Sequence, residues 1–457
     1  MKKENKISRR TFLGTSATAA AAFMVVPRHV IGAVGDKKAP SDTLNIGCVG
    51  VGGKGFSDTQ SVSTENIVAL CDVDDIMMAD FLKSDEHPPE KKAKYEKANK
   101  YRDFRLMLDK EKSLDAITVS VPDHNHAAIA MAAIKLGKHV FVQKPLTHTV
   151  KEARLLLQAA GQAKVVTQMG NQGHAKEGAR LVNEWIWAGA IGTVGEVHAW
   201  TNRPIWPQGG IDAPPEVPSV PSTLDWDVWI GPAAFRPYHP LIHPFKWRGL
   251  WDFGTGSLGD MGAHILDQPF WALKLGYPTS VQASSSVFSK DYYPLAEIVT
   301  YEFPARGPMG PVKLTWYDGG LMPPRPPELE DGRMMGEEGG GVLFLGDKGA
   351  LMCSVYGENP RLIPESRMQE YKRPEKTIPR SPGIHEEWIE AIKKGTKSTT
   401  DFEYSAPLTE AMLLANIAVR MKESNTKLLW NGEKMEFTNL PEANKYIHYE
   451  YRPGWSL

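Results

Sequence analysis

The first half of the chain alternates short apolar runs with amphipathic stretches. Five β-branched or apolar runs predict buried strands: residues 44–49, 66–71, 116–121, 139–142 and 165–169. Residues 127–136 and 150–162 have the spacing of helices between those strands. Strands that alternate with helices form a parallel sheet wound by right-handed crossovers, and such sheets bind ligands at the carboxyl ends of their strands.

The second half is less regular. Residues 203–250 hold ten prolines and lie within the stretch that carries six of the thirteen tryptophans, which predicts a long irregular loop over a more regular surface. Farther along, residues 385–395 and 406–422 are amphipathic and predict helices. The Asn431-Gly432 pair predicts a hairpin turn near the end of the chain.

Residues 1–33 have the layout of an export signal. Three lysines precede the paired arginines Arg9 and Arg10, and a mild apolar run follows over residues 17–26. This pattern is typical of twin-arginine signals, so we expect export to the periplasm by the twin-arginine translocase and a linker over residues 34–42. The apolar run is shorter than the roughly 20 residues that span a bilayer, so no membrane anchor is expected.

Composition and charge narrow the classes of protein. The chain has 457 residues, more than one compact core usually absorbs, which predicts two domains. Its formal net charge is −1, and the predicted signal holds six basic residues against one acidic residue, so the mature chain would be more acidic still. That balance disfavours binding to nucleic acid or to anionic membranes. Cys48, Cys71 and Cys353 are too few for a disulfide framework.

A glycine-rich turn directly follows the first predicted strand. Gly50, Gly52, Gly53 and Gly55, with Lys54 among them, form a G-x-G-x-x-G pattern that opens a helix. Glycines at this place allow a tight turn and the close approach of a pyrophosphate to backbone N–H groups.

Asp72 ends the second predicted strand, about twenty residues beyond the glycines. A carboxylate there can accept both hydroxyls of an adenosine ribose, and the nearby Asp74 and Asp75 would repel a 2′-phosphate. The sequence therefore predicts NAD rather than NADP.

Polar clusters follow three more of the predicted strands: Pro122-Asp123-His124-Asn125-His126, Gln143-Lys144-Pro145 and Gly170-Asn171-Gln172. The carboxyl ends of parallel strands share one edge of a sheet, so we expect these clusters to contribute to a single site. His124 and His126 have no Cys or third His placed to complete a ligand set, so no metal is expected.

Asp260 and His264 are the candidate proton-transfer pair. A glycine-rich stretch precedes them, and their spacing of four places both on one face of a predicted helix. An imidazole can take a hydroxyl proton while hydride leaves the carbon, and a carboxylate one turn away can orient it. Spacing alone is weak support, since a few such pairs occur by chance in a chain with 13 histidines.

These motifs, in this order, resemble the Gfo/Idh/MocA oxidoreductases and look like an exported branch of that family. The resemblance rests on the glycine-rich turn, Asp72, residues 122–126, residues 137–145 and residues 260–264. It implies an α/β protein with an N-terminal Rossmann domain, residues 43–170, which has a doubly wound parallel sheet. It also implies a C-terminal α/β domain, residues 171–457, whose open, mainly antiparallel sheet often builds a homo-oligomer.

The resemblance also assigns roles. Lys144 would position the substrate hydroxyl and polarise a ketone, His264 would be the general acid/base, and Asp260 would orient His264 or bind substrate. Further positions lining the nicotinamide and its ribose would be Pro122, Asp123, His126, Gln143, Lys144 and Asn171. Gln143 stands where the family usually has Glu, which leaves the role of that charge open.

Together these features predict an NAD-dependent oxidoreductase with tightly bound cofactor, acting on a secondary hydroxyl of a saccharide, glycoside or cyclitol. The candidate substrate contacts are Arg203, Trp206, Tyr238, Trp247, Arg248 and Tyr317. Two alternatives remain open. One is an NAD-dependent glycosidase that works by transient oxidation at C3 and elimination, and the other is a non-catalytic saccharide-binding protein that retains NAD.

Overall fold

The computed structural model describes residues 42–424 and 426–457, and residues 44–457 form one compact unit. The predicted export signal and all but the last residue of the predicted linker lie outside the described residues. Within the compact unit the strands form two sheets, and side chains from both sheets contribute to one hydrophobic core.

The first sheet is parallel and has six strands in the order β3-β2-β1-β4-β5-β6. The strands are β1 (Asn45–Val49), β2 (Asn66–Cys71), β3 (Asn99–Tyr101), β4 (Ala116–Val119), β5 (His139–Val142) and β6 (Thr167–Met169). The predicted doubly wound sheet is confirmed. The strand order reverses between β1 and β4, and that switch point is where such sheets form a ligand crevice.

Six helices connect these strands: α1 (Lys54–Val62), α2 (Asp75–Lys83), α3 (Pro89–Lys97), α4 (Phe104–Lys110), α5 (Asp123–Lys135) and α6 (Val150–Ala163). Local sequence explains several of their starts. Asp74 and Asp103 cap α2 and α4 by accepting backbone N–H bonds, and Thr149 and Glu152 form a reciprocal capping box on α6. Helix α5 begins at Asp123, four residues before the predicted start, which brings the polar cluster onto its first turn.

The second sheet has nine strands in the order β13-β12-β11-β7-β10-β9-β8-β14-β15. These strands are β7 (Val194–Thr201), β8 (Ser280–Ser285), β9 (Glu297–Phe303), β10 (Val312–Tyr317), β11 (Gly340–Gly346), β12 (Gly349–Cys353), β13 (Arg361–Ile363), β14 (Leu428–Asn431) and β15 (Glu436–Phe437). Neighbouring strands are antiparallel except β7 and β10. The predicted mainly antiparallel sheet is confirmed.

Seven further helices surround or cross the sheets: α7 (Glu177–Trp187), α8 (Trp226–Ile230), α9 (Gly256–Ile265), α10 (Asp267–Ala272), α11 (Glu365–Glu370), α12 (Ile384–Lys394) and α13 (Phe402–Arg420). Helix α13 packs against α6, α9 and β8, so it joins the two halves. Helix α12 returns to the first sheet, where Trp388 and Ile389 share a core with Ile46 and Phe141. A segment from the predicted second domain therefore completes the core of the first half.

The Pro- and Trp-rich segment folds over the carboxyl edge of the first sheet. It contains α8 and its own apolar cluster, which includes Trp226, Trp229 and Trp247. Backbone hydrogen bonds from Asp75 N to Thr223 O and from Asp225 N to Val73 O tie it to the start of α2. We call residues 221–250 of this segment the cover.

Three observations concern the cysteines, membrane-spanning segments and metal sites. Cys48, Cys71 and Cys353 are free thiols buried in the core. Within residues 42–424 and 426–457, no helix has the length and apolar character to cross a bilayer, and no group of three or more His, Cys, Asp or Glu side chains is arranged to hold a metal.

Candidate active site

A cleft of about 560 Å³ runs from the glycine-rich turn to helix α9, between the first sheet and the cover. Most of the predicted site residues line it. They are Gly50, Gly52, Gly53, Lys54, Asp72, Pro122, Asp123, Gln143, Lys144, Arg203, Trp247, Arg248, Asp260 and His264.

The glycine-rich turn is shaped for an elongated anionic ligand. A Cβ on Gly55 would lie 2.0 Å from the Gly50 carbonyl oxygen, so glycine is required for α1 to start against the turn. Gly55 therefore supports the turn and does not line the cleft. The space beside Gly53 is open, so a pyrophosphate would meet no side chain there. These features fit a dinucleotide at the start of α1.

Asp72 fixes the turn and faces the same cleft. Its carboxylate accepts N–H bonds from Val51 (2.9 Å), Gly52 (3.4 Å) and Asp74 (3.0 Å). Burial raises its pKa, and these backbone donors counteract the increase. A carboxylate has about four acceptor positions, so capacity remains for a ribose hydroxyl.

Asp58 on α1, which sequence reasoning missed, explains the unusual Gln143. The Gln143 amide donates to Asp58 Oδ2 at 2.8 Å, a bond that a carboxylate at position 143 could not donate. Lys54 Nζ (2.9 Å) and His385 Nε2 (3.0 Å) contact Oδ1, and the Ser120 hydroxyl donates to Oδ2. The only signal in the sequence was the Lys54–Asp58 spacing of four.

The electrostatic balance at Asp58 favours its ionised form. Burial alone would raise the pKa of the carboxyl, but the His385 hydrogen bond and the Lys54 charge outweigh burial and lower it. A buried carboxylate thus stands directly behind the Gln143-Lys144 turn.

Lys144 and Asp260 meet at the other end of the cleft. Lys144 Nζ donates to Asp260 Oδ1 at 2.8 Å and to the Asp260 carbonyl oxygen at 2.7 Å. Arg248 Nε lies 3.7 Å from the same carboxylate. Burial would raise the pKa of Asp260, but the two cations together lower it. Asp260 is therefore an anion that holds the Lys144 ammonium in the cleft.

His264 lies one turn after Asp260 on α9 and also lines the cleft. Its Nδ1 is buried and has no hydrogen-bond partner in the part of the chain that the structure describes, and its ring packs edge-on against Tyr356, with centroids 4.9 Å apart. Burial and the nearby Lys144 charge lower its pKa to about 3, so the ring is neutral near pH 7. The Asp260 carboxylate is hydrogen-bonded to Lys144, and within residues 42–424 and 426–457 no hydrogen bond joins it to His264.

Asp123 is a second carboxyl group in the cleft. It is buried at the first turn of α5 and accepts a 2.6 Å hydrogen bond from the Thr255 hydroxyl. Burial raises its pKa to about 7, with Thr255 and the Lys144 charge opposing the increase. A Cβ on Gly259 would lie 1.9 Å from Thr255 Oγ1, so this glycine makes room for the Thr255 side chain beside α9.

Two predicted cofactor residues are buried behind the cleft. His126 lies between the carbonyl oxygens of Pro145 (2.7 Å from Nδ1) and Val121 (2.8 Å from Nε2). The Asn171 amide donates to Asp267 Oδ1 at 2.9 Å. In this structure both side chains support the turns that carry cleft residues.

Three predicted substrate contacts also lie outside the cleft. The Trp206 indole donates to Gln208, and Tyr238 packs against Trp226 in the cover. Tyr317 belongs to an apolar cluster on the second sheet, and its hydroxyl oxygen lies 3.2 Å from His198 Nδ1. Their rings stabilise loops and strands, because burying a large aromatic side chain contributes favourable free energy to folding as well as to ligand binding.

The cover adds cleft residues that the sequence did not single out. His243 Nε2 lies 2.9 Å from Asp74 Oδ2, and Pro244 and Phe245 line the cleft beside it. Tyr356, from the loop after β12, lines the opposite end near His264. None of these residues belongs to a local motif, since the folding of distant loops brings them to the cleft.

The architecture is that of a two-domain oxidoreductase. It combines a Rossmann-type sheet, a second open-faced sheet, and a cleft with Lys144, Asp260 and His264 at one end. Residues 44–171 match the NAD-binding Rossmann fold of an oxidoreductase family, and residues 183–302 match the C-terminal alpha/beta domain of that family. The chain belongs to the Gfo/Idh/MocA family.

Relatives in this family include sugar and cyclitol enzymes. The chain is 26% identical to the levoglucosan dehydrogenase of Pseudarthrobacter phenanthrenivorans over 37% of its own length and 35% of the relative's. It is 23% identical to the scyllo-inositol 2-dehydrogenase (NADP(+)) of Bacillus subtilis over 49% and 51% of the two chains. It is 27% identical to a glycosyl hydrolase family 109 protein of Shewanella baltica over 39% and 42%. The chain thus spans between a third and a half of the relatives' lengths.

Solved structures share the fold over most of the chain. The WlbA dehydrogenase from Bordetella pertussis, in complex with NADH and UDP-GlcNAcA, matches with a TM-score of 0.56 and 15% identity over 85% of this chain and 99% of that one. A levoglucosan dehydrogenase in complex with NADH and levoglucosan matches with a TM-score of 0.55 and 16% identity over the same shares. At this identity the likeness establishes the fold.

Proposed function

We propose that the protein is an exported NAD-dependent oxidoreductase that oxidises or reduces a secondary hydroxyl of a saccharide, glycoside or cyclitol. The observation that carries this proposal is the convergence of Lys144, Asp260 and His264 at one end of a cleft whose other end is the glycine-rich turn. Sugar and cyclitol dehydrogenases among the relatives favour the same substrate class.

The proposed chemistry divides between the cofactor and the chain. NAD, when bound, supplies hydride transfer. The Lys144 ammonium, held by Asp260, donates a hydrogen bond to the reacting oxygen and stabilises negative charge there. Neutral His264 accepts the hydroxyl proton in oxidation and returns it in reduction.

NAD rather than NADP is favoured by the charges at the adenosine end of the cleft. Asp72 lines the cleft there, and Asp74 lies next to it with His243 as its partner. The cover also lies over this end, which supports tight retention of the cofactor. A bound cofactor would suit an enzyme exported in folded form to a compartment without a free nicotinamide pool.

The first test is the cofactor content and activity of the purified protein. We expect NAD to be released on denaturation, and sugars or glycosides to change the absorbance of the bound nicotinamide. Lys144→Met should lower turnover by ~10²-fold or more, because it removes a charged donor to the reacting oxygen. The variant should keep its NAD. Unchanged turnover would disprove the catalytic assignment of Lys144.

The second candidate is a redox-neutral glycosidase, which the family 109 relatives favour. In that reaction, oxidation at C3 acidifies the neighbouring proton, the aglycone is eliminated, water adds, and the hydride is returned. Incubation with p-nitrophenyl glycosides separates the candidates. Nitrophenol release without net NADH indicates the glycosidase, and net oxidation without cleavage indicates the dehydrogenase. Bound NAD and saccharide with neither reaction would indicate a binding protein.

Export and assembly are further parts of the proposal. Replacement of Arg9 and Arg10 by Lys should retain the protein in the cytoplasm if the twin-arginine translocase carries it. Cell fractionation of the variant and the unaltered precursor measures this directly. The proposed homo-oligomer is tested by light scattering of the mature protein.

A further inference from the structure

A second cavity, of about 530 Å³, lies beyond the N-terminus of α9 and shares no lining residue with the active-site cleft. Its walls come from the start of α6, the loop before α9, the later turns of α13, and residues 233–234 and 445–450. A volume of this size is typical of small-ligand sites.

A cation without a carboxylate partner occupies one wall. The Arg420 guanidinium stacks over Trp251, 4.0 Å from the ring centroid, and lies 4.9 Å from the centroid of Tyr446. In the described part of the chain, no ion pair joins Arg420 to an Asp or Glu side chain. Asp252, on the same cavity, is already bound to Arg236 at 2.6 Å. Stacking therefore holds Arg420 in place while its N–H groups stay available for an anion.

Neutral polar groups with no hydrogen-bond partner in the described residues line another part of the cavity, whose wall also includes Glu450. The buried atoms Asn416 Oδ1, His448 Nδ1 and Tyr449 Oη have no hydrogen-bond partner in the described residues, although all three side chains belong to the cavity wall. Asn416 is only 6% exposed, and its amide nitrogen donates to the Thr255 carbonyl, which fixes its orientation. Unsatisfied buried polar atoms are costly, and a hydroxylated ligand would satisfy them.

We propose that this cavity is a second binding site, for a small hydroxylated anion such as a sugar acid or a sugar phosphate. Arg420 binds the anionic group, and Asn416, His448 and Tyr449 bind hydroxyls. The site is independent of the reaction in the cleft, so its test does not rest on turnover.

The test is calorimetric titration of the full mature protein with glucuronate, glucose 1-phosphate and glucose. We expect one or both anions to bind, and glucose to bind at least tenfold more weakly, because the Arg420 contact is charge-assisted. The stronger of the two anions identifies the ligand class. Equal affinity for glucose, or no binding of any of the three, would overturn the proposal.

Variants distinguish this cavity from the cleft. Arg420→Gln should weaken anion binding by about tenfold or more, and Tyr449→Phe should weaken it less, because it removes one hydroxyl contact. Lys144→Met, in the cleft, should leave anion binding unchanged. Loss of binding in Lys144→Met with retention in Arg420→Gln would place the ligand in the cleft. Tyr449→Phe, together with a thermal unfolding curve for each variant, keeps the test valid if Arg420→Gln folds poorly.

Discussion

At the scale of single residues, the Gln143-Lys144 turn contacts a carboxylate that comes from another element. The family's usual Glu is Gln143 here, and Asp58 of α1 accepts the hydrogen bond that Gln143 donates. The charge is therefore present in the site, although it lies on a different side chain. Sequence motifs identified the turn, but the compensation is visible only where α1 and β5 meet.

Gln143→Glu should destabilise the protein by ~1–3 kcal/mol at neutral pH, because it places two carboxylates at hydrogen-bond distance in a buried place. Urea unfolding of the variant and the wild type measures the difference. Adding Asp58→Asn to Gln143→Glu restores one carboxylate and one amide, so the double variant should be more stable than the sum of the single changes. Additive effects would contradict a direct interaction.

The raised pKa of Asp123 should make the free energy of unfolding depend on pH. Its pKa is raised to about 7 in the folded protein, whereas an unfolded Asp titrates near 3.9. Between these values the folded state binds more protons than the unfolded state, so the Asp123 contribution falls as pH rises from about 4 through about 7. Asp123→Asn should lessen that decline, by a few kcal/mol at most. Urea unfolding at pH 5 and pH 8 compares the variant with wild type, and an identical decline in both would contradict the assignment.

At the scale of elements, the cover decides how the cofactor end of the cleft is closed. It has little regular secondary structure, yet α8 and its tryptophans form a separate apolar cluster that gives it a fixed shape. Backbone bonds to Val73 and Asp75 and the His243–Asp74 contact attach it to the start of α2. The prolines and tryptophans predicted an irregular segment over a regular surface, and the structure identifies that surface as the edge of the NAD-binding sheet.

His243→Ala should speed the release of NAD several-fold, because it removes the 2.9 Å contact between the cover and Asp74. The dissociation rate follows from loss of nicotinamide absorbance after rapid dilution or gel filtration. His239→Ala is the matched control, since His239 lies in the same segment and its side chain accepts a hydrogen bond from the nearby Leu241 N–H rather than reaching α2. Equal release rates for both variants and the wild type would contradict a role of the cover in retention.

At the scale of the whole molecule, the two halves share one core. Helix α13 packs on both halves, and α12 brings Trp388 from the late part of the chain onto the first sheet. Trp388 is fully buried against Phe141, with ring centroids 5.7 Å apart. The predicted first domain is therefore incomplete without residues that lie more than two hundred positions later.

Trp388→Ala should destabilise the protein by ~3–5 kcal/mol, as expected for a large buried aromatic side chain. Because the core is shared, one cooperative unfolding transition should shift as a whole in calorimetry. Trp187→Ala, at a half-exposed position on α7, is the control and should cost less. Separate transitions for the two halves would show that they unfold independently.

The sequence by itself determined the elements and motifs that depend on local order. Alternating strands and helices specified the parallel sheet, the glycine pattern specified the turn, and the spacing of Asp260 and His264 placed both on one helix, because these features are set by backbone periodicity. Tertiary structure alone decided which partner each polar group has. Asp58 accepts a hydrogen bond from Gln143, and Lys144 donates one to Asp260. Trp206, Tyr238 and Tyr317 pack outside the cleft. Hydrogen bonds and burial between distant segments depend on how the sheets, α12 and the cover pack, and no local pattern encodes that geometry.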